Sequence, residues 1–173
     1  SAVLTAFAPI NHLKLMERRL ELWAKVFEAS GEGIVIVDAM HRILTVNHSF
    51  CRSTLFELHE VIGEPLDCVE DGSGAKDFLA DLWRKAEQRS TWQGEVTIRR
   101  RDGSSFPAWL MLSVVRDGPQ GVVSHTIVTT LDISDRKRSE ERIRFLAQHD
   151  VLTELPNRSM CIERLRLAIE QAR

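Results

Sequence analysis

Residues 92–117 read WQGEVTIRRRDGSSFPAWLMLSVVRD, and this stretch decides the fold class. Two runs of β-branched, aromatic and aliphatic residues, 92–101 and 105–116, flank the tripeptide Asp102-Gly103-Ser104. An Asp-Gly pair between two such runs is a strong signal for a β-hairpin. The stretch therefore predicts two antiparallel strands joined by a tight turn.

Three further runs extend this sheet. After the hairpin, VVSHTIVTTLDIS at 122–134 predicts another strand; before it, GIVIVD at 33–38 and RILTVN at 42–47 predict a second hairpin. Residues 48–90 have mainly helical spacing, with interruptions. Two strands, a helical middle and three strands are typical of an α+β domain with an antiparallel sheet.

Along the chain, one helix is predicted before the strands of the sheet and another after them. In the first helix, apolar residues recur at alternating intervals of three and four: Leu13, Met16, Leu20, Trp23 and Phe27. This seam indicates either a helix that packs on its own domain or a parallel dimer, and both arrangements fit along one helix. The second helix starts at Asp135 and is highly charged with a thin apolar stripe, which is typical of a connector or of one member of a helix pair.

The composition narrows the function classes. The 173 residues carry a net charge of -2, which gives no support to nucleic-acid binding. The three cysteines have no Cys-x-x-Cys spacing, which argues against a zinc site or a disulfide framework and favours a reducing, cytoplasmic compartment. No apolar run approaches the roughly 20 residues that span a bilayer. Neither metal ligands nor a nucleophile–base pair are evident, so we expect no metal and no catalytic residues.

Residues 23–135 resemble a PAS domain, a small sensory fold. The resemblance rests on GIVIVDAMHRILTVNHSFCRST from Gly33, on the hairpin stretch quoted above, and on DISDRK from Asp132. It implies a five-stranded antiparallel sheet that curves around a pocket, with short helices. It also implies an N-terminal helix before the sheet and a signalling helix after it.

Residues 149–158, HDVLTELPNR, resemble a second family. Six residues match the Asp-x-Leu-Thr-x-Leu-x-Asn-Arg start of GGDEF domains, the diguanylate cyclases that join two GTP molecules into cyclic di-GMP: Asp150, Leu152, Thr153, Leu155, Asn157 and Arg158. No Gly-Gly pair occurs, so the catalytic motif is absent and we do not expect this chain to be an enzyme. The resemblance implies a parent diguanylate cyclase that uses GTP and magnesium.

The two resemblances together predict the domain order. We expect a lead and amphipathic helix at 1–29, a PAS sensor at 30–134, a signalling helix at 135–149 and a truncated start of a GGDEF domain at 150–173. The last segment is a helix that is apolar nearly all round, through Met160, Cys161, Ile162, Leu165, Leu167, Ala168 and Ile169. Such a helix is normally buried, so we expect it to pack against a second chain, to fray, or to borrow contacts.

The predicted pocket walls come from alternation in strands and helical spacing elsewhere, with the inward face taken from the resemblance. They are Ile34, Ile36, Phe50, Leu55, Phe78, Leu82, Ile98, Ala108, Leu110, Leu112 and Ile127. These residues either pack together as an ordinary core or surround a small apolar ligand. No cofactor is evident.

Haem and flavin are disfavoured by the residues available. Haem needs an axial ligand, for which His48, His59 and His125 are the candidates considered within the domain. The stretch FCRST at 50–54 has a cysteine and an arginine but lacks the preceding Asn and following Phe of the light-sensing relatives.

Two other sets of residues are assigned to signalling. The resemblance implies a hinge at Asp132, Ile133, Ser134 and Arg136, where the last strand becomes the signalling helix. If Leu110 and Leu112 face inward, Trp109 and Met111 form an exposed apolar pair that requires a cover. We expect the first helix, through Trp23 and Phe27, to supply it from the same or a partner chain.

The functional hypothesis is a sensory module of a cyclic di-GMP signalling protein. Changes in the pocket or in homodimer geometry would pass through the C-terminal helix to a GGDEF output domain. Two alternatives remain: a ligand-free PAS scaffold for dimerisation and interaction, and the sensor of a parent that degrades cyclic di-GMP as a phosphodiesterase.

Overall fold

The computed structural model describes residues 7–70, 78–119, 121–150, 153 and 155–171. Its described residues form two compact units, divided between Asp132 and Ile133. The first unit contains the sheet with its helices, and the second contains two helices joined by a turn.

The first unit is built on one antiparallel sheet. Its strands are β1 (Gly33–Asp38), β2 (Ile43–Val46), β3 (Val69–Glu70), β4 (Thr91–Arg99), β5 (Ser105–Asp117) and β6 (Val122–Asp132), in the spatial order β2-β1-β6-β5-β4-β3. The predicted α+β class and the five predicted strands are confirmed. The two-residue β3 is an additional edge strand that no run of β-formers predicted.

The turn between β4 and β5 is held by its own side chains. Asp102 Oδ1 accepts hydrogen bonds from Ser104 N at 2.9 Å and from Ser104 Oγ at 2.6 Å. Gly103 adopts φ +84°, a left-handed conformation that costs glycine little. Because the turn is tight, β4 and β5 pair continuously from Thr91 with Ser113 to Arg99 with Ser105.

The described residues of the first unit form four helices: α1 (Phe7–Ala29), α2 (His48–Thr54), α3 (Leu58–Val61) and α4 (Phe78–Arg89). Helices α2, α3 and α4 pack on one face of the sheet and enclose the core with it. Gly33 allows the close approach of α2 to β1, since a Cβ there would stand 3.1 Å from Phe50 Cα. Helix α1 contacts this layer at its C-terminal end, next to α2.

The buried face of β1 differs from the one predicted. Val35 and Val37 are fully buried, whereas Ile34 and Ile36 are half-buried on the opposite face. Both faces of β1 are apolar, so alternation alone could not choose between them. Assignment of Ile34 and Ile36 to the pocket was therefore wrong.

The same correction applies to Ile127 and Leu55. Ile127 pairs with Ile36 and shares its outward face, while the neighbouring Val128 is fully buried. Leu55 is 46% exposed because it ends α2 in the left-handed region, at φ 64°, where its side chain turns away from the core. Neither residue lines the interior.

The second unit consists of α5 (Ser134–Gln148) and α6 (Arg158–Gln171). None of the side chains described in α5 is buried. On α6, the apolar side chains of Ile162, Leu165, Leu167 and Ile169 are exposed. That exposure agrees with a helix whose packing partner lies elsewhere, and the identity of that partner stays a prediction.

Candidate ligand cavity and signalling elements

A cavity of about 190 Å³ lies in the first unit between β2, α2, α3 and the end of β4. Its apolar wall is made by Ile43, Phe50, Phe56, Val61, Leu66 and Cys68. Its remaining lining residues are Glu60, Glu64, Pro65, Asp67 and Arg99. The arrangement is an apolar interior with charged residues beside it, which suits a compact, mainly apolar molecule.

Local capping positions the helical part of the wall. Asn47 is the N-cap of α2, and its Oδ1 accepts from Phe50 N at 3.0 Å and from Ile34 N at 2.8 Å. These bonds fix Phe50 above β1. In α3, a capping box between Glu57 and Glu60 fixes the first turn and so places Val61 in the wall.

Ion pairs surround the polar side of the cavity. Arg101 Nη2 lies 2.8 Å from Glu60 Oε1, and Arg101 Nη1 lies 3.7 Å from Glu57 Oε1. Arg99 Nη2 donates to the Asp67 carbonyl at 3.4 Å. These groups are partly exposed, so water screens their attraction and they contribute more to the shape of the cavity than to stability.

Only one of the predicted pocket residues, Phe50, lines this cavity. Leu82, Ile98, Ala108, Leu110 and Leu112 are buried in the core beyond it, and Phe78 packs against that core half-buried. Helices α2 and α4 fill the space above these residues, which leaves the cavity displaced toward β2 and α3.

Most of the other wall residues lie between Phe56 and Cys68, in a stretch that the sequence indicates only as helical with interruptions. Residues 55–68 alternate between short turns and a single helical turn, so they show neither strand nor helix periodicity. The available sequence signal was that Phe56, Val61, Leu66 and Cys68 are apolar. The segment is too irregular for its periodicity to predict that they are buried.

Cysteines and histidines take positions that bear on cofactor chemistry. Cys68 lines the cavity, whereas Cys51 does not. Burial raises the pKa of the Cys51 thiol, and the nearby Glu28 carboxylate raises it further, so the thiol is protonated and poorly nucleophilic. None of His48, His59 and His125 lines the cavity. In the described part of the chain, no three metal-ligating side chains cluster.

The hinge residues lie at the division between the two units. Asp132 ends β6 and pairs with Arg100, whose Nη2 lies 3.9 Å from Asp132 Oδ2. In the second unit, Ile133 is buried, Ser134 begins α5, and Arg136 Nε lies 3.6 Å from Glu140 Oε1. Arg100, which also stacks over Phe106, is a partner that sequence reasoning did not find.

The residues predicted to make a cover are largely exposed. On α1, Leu13, Met16, Leu20 and Trp23 are between 47% and 70% exposed, and Phe27 is half-buried. On β5, Trp109 is half-buried and Met111 exposed, while Leu110 and Leu112 face the core. The expected cover of the sheet by Trp23 of the same chain is absent, since that side chain is exposed.

Two side chains that match the second family, Asp150 and Asn157, make hydrogen bonds near the end of α5 and the start of α6. Asp150 Oδ1 accepts from Thr153 N at 3.0 Å and from Thr153 Oγ1 at 3.1 Å. Asn157 Oδ1 accepts from Met160 N at 3.0 Å, and Asn157 Nδ2 donates to the Ala147 carbonyl at 2.7 Å. Asp150 and Asn157 therefore hold the exit from α5 and the start of α6.

No helix among the described residues combines the length and apolarity that crossing a membrane requires. From Lys14 onward, charged residues such as Glu17 and Arg18 are interspersed among the apolar residues of α1.

Two known proteins are similar to this chain in sequence. A nitrogen fixation regulatory protein of Klebsiella oxytoca is 25% identical over 130 residues, which are 75% of this chain and 26% of the relative. An uncharacterized signaling protein of Caulobacter vibrioides is 30% identical over 154 residues, 88% of this chain and 18% of the relative. The chain therefore spans only about a quarter or less of these relatives.

Solved structures share the fold. The crystal structure of a PAS domain from Colwellia psychrerythraea matches with a TM-score of 0.60 and 20% identity, covering 68% of this chain and 98% of that one. The family model described as "PAS domain" matches residues 31–135, which is more than half of the sequence. The sheet order, the helical layer and this match together establish that the chain belongs to the PAS domain family.

Proposed function

We propose that this chain is the sensory module of a signalling protein and that the cavity beside Phe50 is its input site. The observation that carries the proposal is the cavity itself, about 190 Å³ with a mainly apolar wall inside a PAS domain. The pocket opens partly to solvent, so a small molecule can enter it, and its apolar wall removes part of that molecule from water.

The size of the cavity sets the class of ligand. An apolar cavity of about 150 Å³ suffices to hold benzene. A volume of about 190 Å³ therefore suits a single-ring or small bicyclic apolar molecule. Haem and flavin are much larger than this, which agrees with the unsuitable positions of the histidines and Cys51.

The proposed output is control of cyclic di-GMP synthesis. The GGDEF resemblance of residues 149–158 supports it, as do the hydrogen bonds that Asp150 makes to Thr153 and Asn157 makes to Ala147. In this account the parent protein carries a GGDEF domain that begins near residue 150 and includes α6, uses GTP and magnesium, and works in the cytoplasm as a homodimer. A parent that degrades cyclic di-GMP would place the same module before a different active site.

A scaffold without a ligand is the second candidate. The observation that favours it is the packing of Leu82, Ile98, Ala108, Leu110 and Leu112, which are buried against one another in the core. A PAS domain filled in this way serves dimerisation without sensing, and the small cavity would then be empty or hold water.

Ligand binding separates the two candidates. Native mass spectrometry of freshly purified protein reveals a retained small molecule, and an absorption spectrum tests for haem and flavin. Methyl NMR of Ile43 and Val61, titrated with benzene and with indole, tests entry into the cavity. We expect shifts of both methyl signals; their absence with both probes, together with no retained molecule, would favour the scaffold.

The output requires the longer parent protein. With GTP and magnesium, the rate of cyclic di-GMP formation measured with and without the probe tests whether this module regulates synthesis. Consumption of added cyclic di-GMP instead of its formation would assign the parent to the phosphodiesterase class.

A further inference from the structure

The cavity is joined to helix α1 by a short chain of contacts. Phe50 forms part of the cavity wall and is fully buried on α2. The N-cap of the same helix, Asn47, is also fully buried, and it bonds in two directions. On one side it holds Phe50, and on the other it holds the end of α1.

All hydrogen-bonding capacity of the Asn47 side chain is used. Its Oδ1 accepts from Phe50 N and Ile34 N, and its Nδ2 donates to the Phe27 carbonyl at 3.0 Å and to the Glu32 carbonyl at 2.9 Å. An amide has two donors and two acceptor sites, so no alternative partner is available without breaking one of these bonds. In a buried setting, each broken bond leaves a polar group unsatisfied.

Two further bonds connect the first turn of α2 to the end of α1. His48 N donates to Glu28 Oε2 at 2.9 Å, and Ser49 Oγ donates to the Ser30 carbonyl at 2.5 Å. The first three residues of α2 are therefore all tied to residues 28–30 or to Asn47. At Gly33, α2 also lies close against β1, since a Cβ there would stand 3.1 Å from Phe50 Cα.

We propose that occupancy of the cavity is transmitted to the C-terminal turn of α1 through Phe50 and the first turn of α2, by the bonds of Asn47 to the Phe27 carbonyl and of His48 N to Glu28. This inference rests on the proposed sensory function of the cavity and adds a route for its regulation. A ring placed against Phe50 displaces α2 slightly, and Asn47 must then pull on the Phe27 carbonyl or release it. Either response changes the stability of the last turn of α1, the helix that carries the exposed seam.

The test uses hydrogen–deuterium exchange of the whole chain with indole as the probe. In the wild-type protein, saturation with indole changes the exchange rates of amides 25–30 by about threefold or more relative to those of α4, since local opening reports local stability. Binding is followed separately by the Ile43 and Val61 methyl signals.

Two variants interrupt the route at different bonds. Asn47→Asp keeps the acceptor that caps α2 but replaces the Nδ2 donors, and Glu28→Ala removes the bond to His48 N. In both we expect indole to bind while the change at residues 25–30 is clearly reduced, because each variant removes one of the two links to α1. If the buried charge prevents Asn47→Asp from folding, Glu28→Ala alone carries the test, because that side chain lies at the surface.

Matched controls are available elsewhere in the chain. Asn157→Asp makes the same chemical change at the cap of α6, and Glu21→Ala removes an exposed carboxylate from α1 away from the ties. Both controls should respond to indole as the wild type does.

The outcomes separate the two claims. Indole binding without any exchange change in α1 would overturn the route and leave the sensory function standing, as would a change that persists undiminished in both variants. If neither indole nor benzene shifts the Ile43 and Val61 methyl signals, the proposed input site fails and the route falls with it.

Discussion

At the scale of single residues, Gly33 determines how closely α2 approaches the sheet. A Cβ at this position would meet the Thr130 hydroxyl and would stand 3.1 Å from Phe50 Cα. We expect Gly33→Ala to destabilise the domain by about 1–3 kcal/mol, the usual cost of overpacking a filled core. Urea denaturation measures the change.

Gly31 provides the matched control for this substitution. A Cβ at Gly31 would meet nothing within 4 Å, and the residue does not need a left-handed conformation. Gly31→Ala should therefore leave the urea midpoint nearly unchanged. Equal destabilisation by both substitutions would show that the close approach at Gly33 is not what limits the packing of α2.

Asp102 makes the stability that the β4–β5 turn contributes depend on pH. Hydrogen bonds from the Ser104 hydroxyl and backbone N–H hold the pKa of this carboxyl below its ordinary value. A carboxyl whose pKa is lowered by folding stabilises the native state above its unfolded pKa, about 3.9 for aspartate, and this stabilisation is lost as pH falls through the lower native pKa.

The corresponding variant is Asp102→Asn. At neutral pH the wild type should have the higher urea midpoint, and the difference should shrink as pH falls below about 4, where the aspartate becomes neutral in both states. Because the carboxyl is at the surface, added salt should reduce the difference as well. A difference that stays constant from neutral to acid pH would contradict this account.

At the scale of elements, the turn between α5 and α6 depends on Asn157. Its Oδ1 caps α6 at Met160 N, and its Nδ2 donates to the Ala147 carbonyl of α5. Asn157→Ala should destabilise α6 by about 1 kcal/mol, the typical cost of losing an N-cap side chain. Amide exchange across residues 158–171 measures it.

Gln148→Ala is the control for the turn. Gln148 receives the Asn157 backbone N–H through its own backbone carbonyl, and its side chain is exposed, so the substitution leaves that bond in place. Exchange in α6 should then match the wild type. If Asn157→Ala also leaves exchange unchanged, the ordered turn is not what holds the start of α6.

Element by element, the strands were predictable, but their inward faces were predictable only in part. Gly33–Asp38 and the two strands around Asp102 were bounded by clear turn signals. Alternation distinguishes two faces only where one is polar, and β1 has isoleucine on one face and valine on the other. In β5 the same ambiguity was removed by the resemblance, which placed Trp109 outward.

The cavity could not be predicted, for a related reason. Its wall comes mainly from residues 56–68, where the chain changes direction every few residues. Burial there is decided by which turn faces the sheet, and that depends on tertiary contacts such as the ion pair of Arg101 with Glu60. Sequence periodicity carries no information about such contacts.

At the scale of the whole molecule, the exposed seam of α1 bears on assembly. Leu13, Met16, Leu20 and Trp23 repeat at intervals typical of two packed helices, and their side chains face solvent in the single chain. Burying each would contribute about 1.5–3 kcal/mol if it became fully enclosed. A second copy of the chain carries the same seam, so a parallel pair of α1 helices would bury both apolar seams against each other.

This predicts a homodimer that one substitution in the seam disrupts. Leu20→Glu should give a monomer in size-exclusion chromatography with light scattering, while the fold remains intact because the side chain is exposed in the protomer. Leu22→Glu is the matched control: Leu22 lies on the same helix, is similarly exposed, and falls outside the seam. We expect that variant to remain dimeric across a dilution series. A monomeric wild type, or a Leu20→Glu protein that dimerises as well as Leu22→Glu, would rule out the seam as the dimer interface and remove the structural basis for signalling through paired helices.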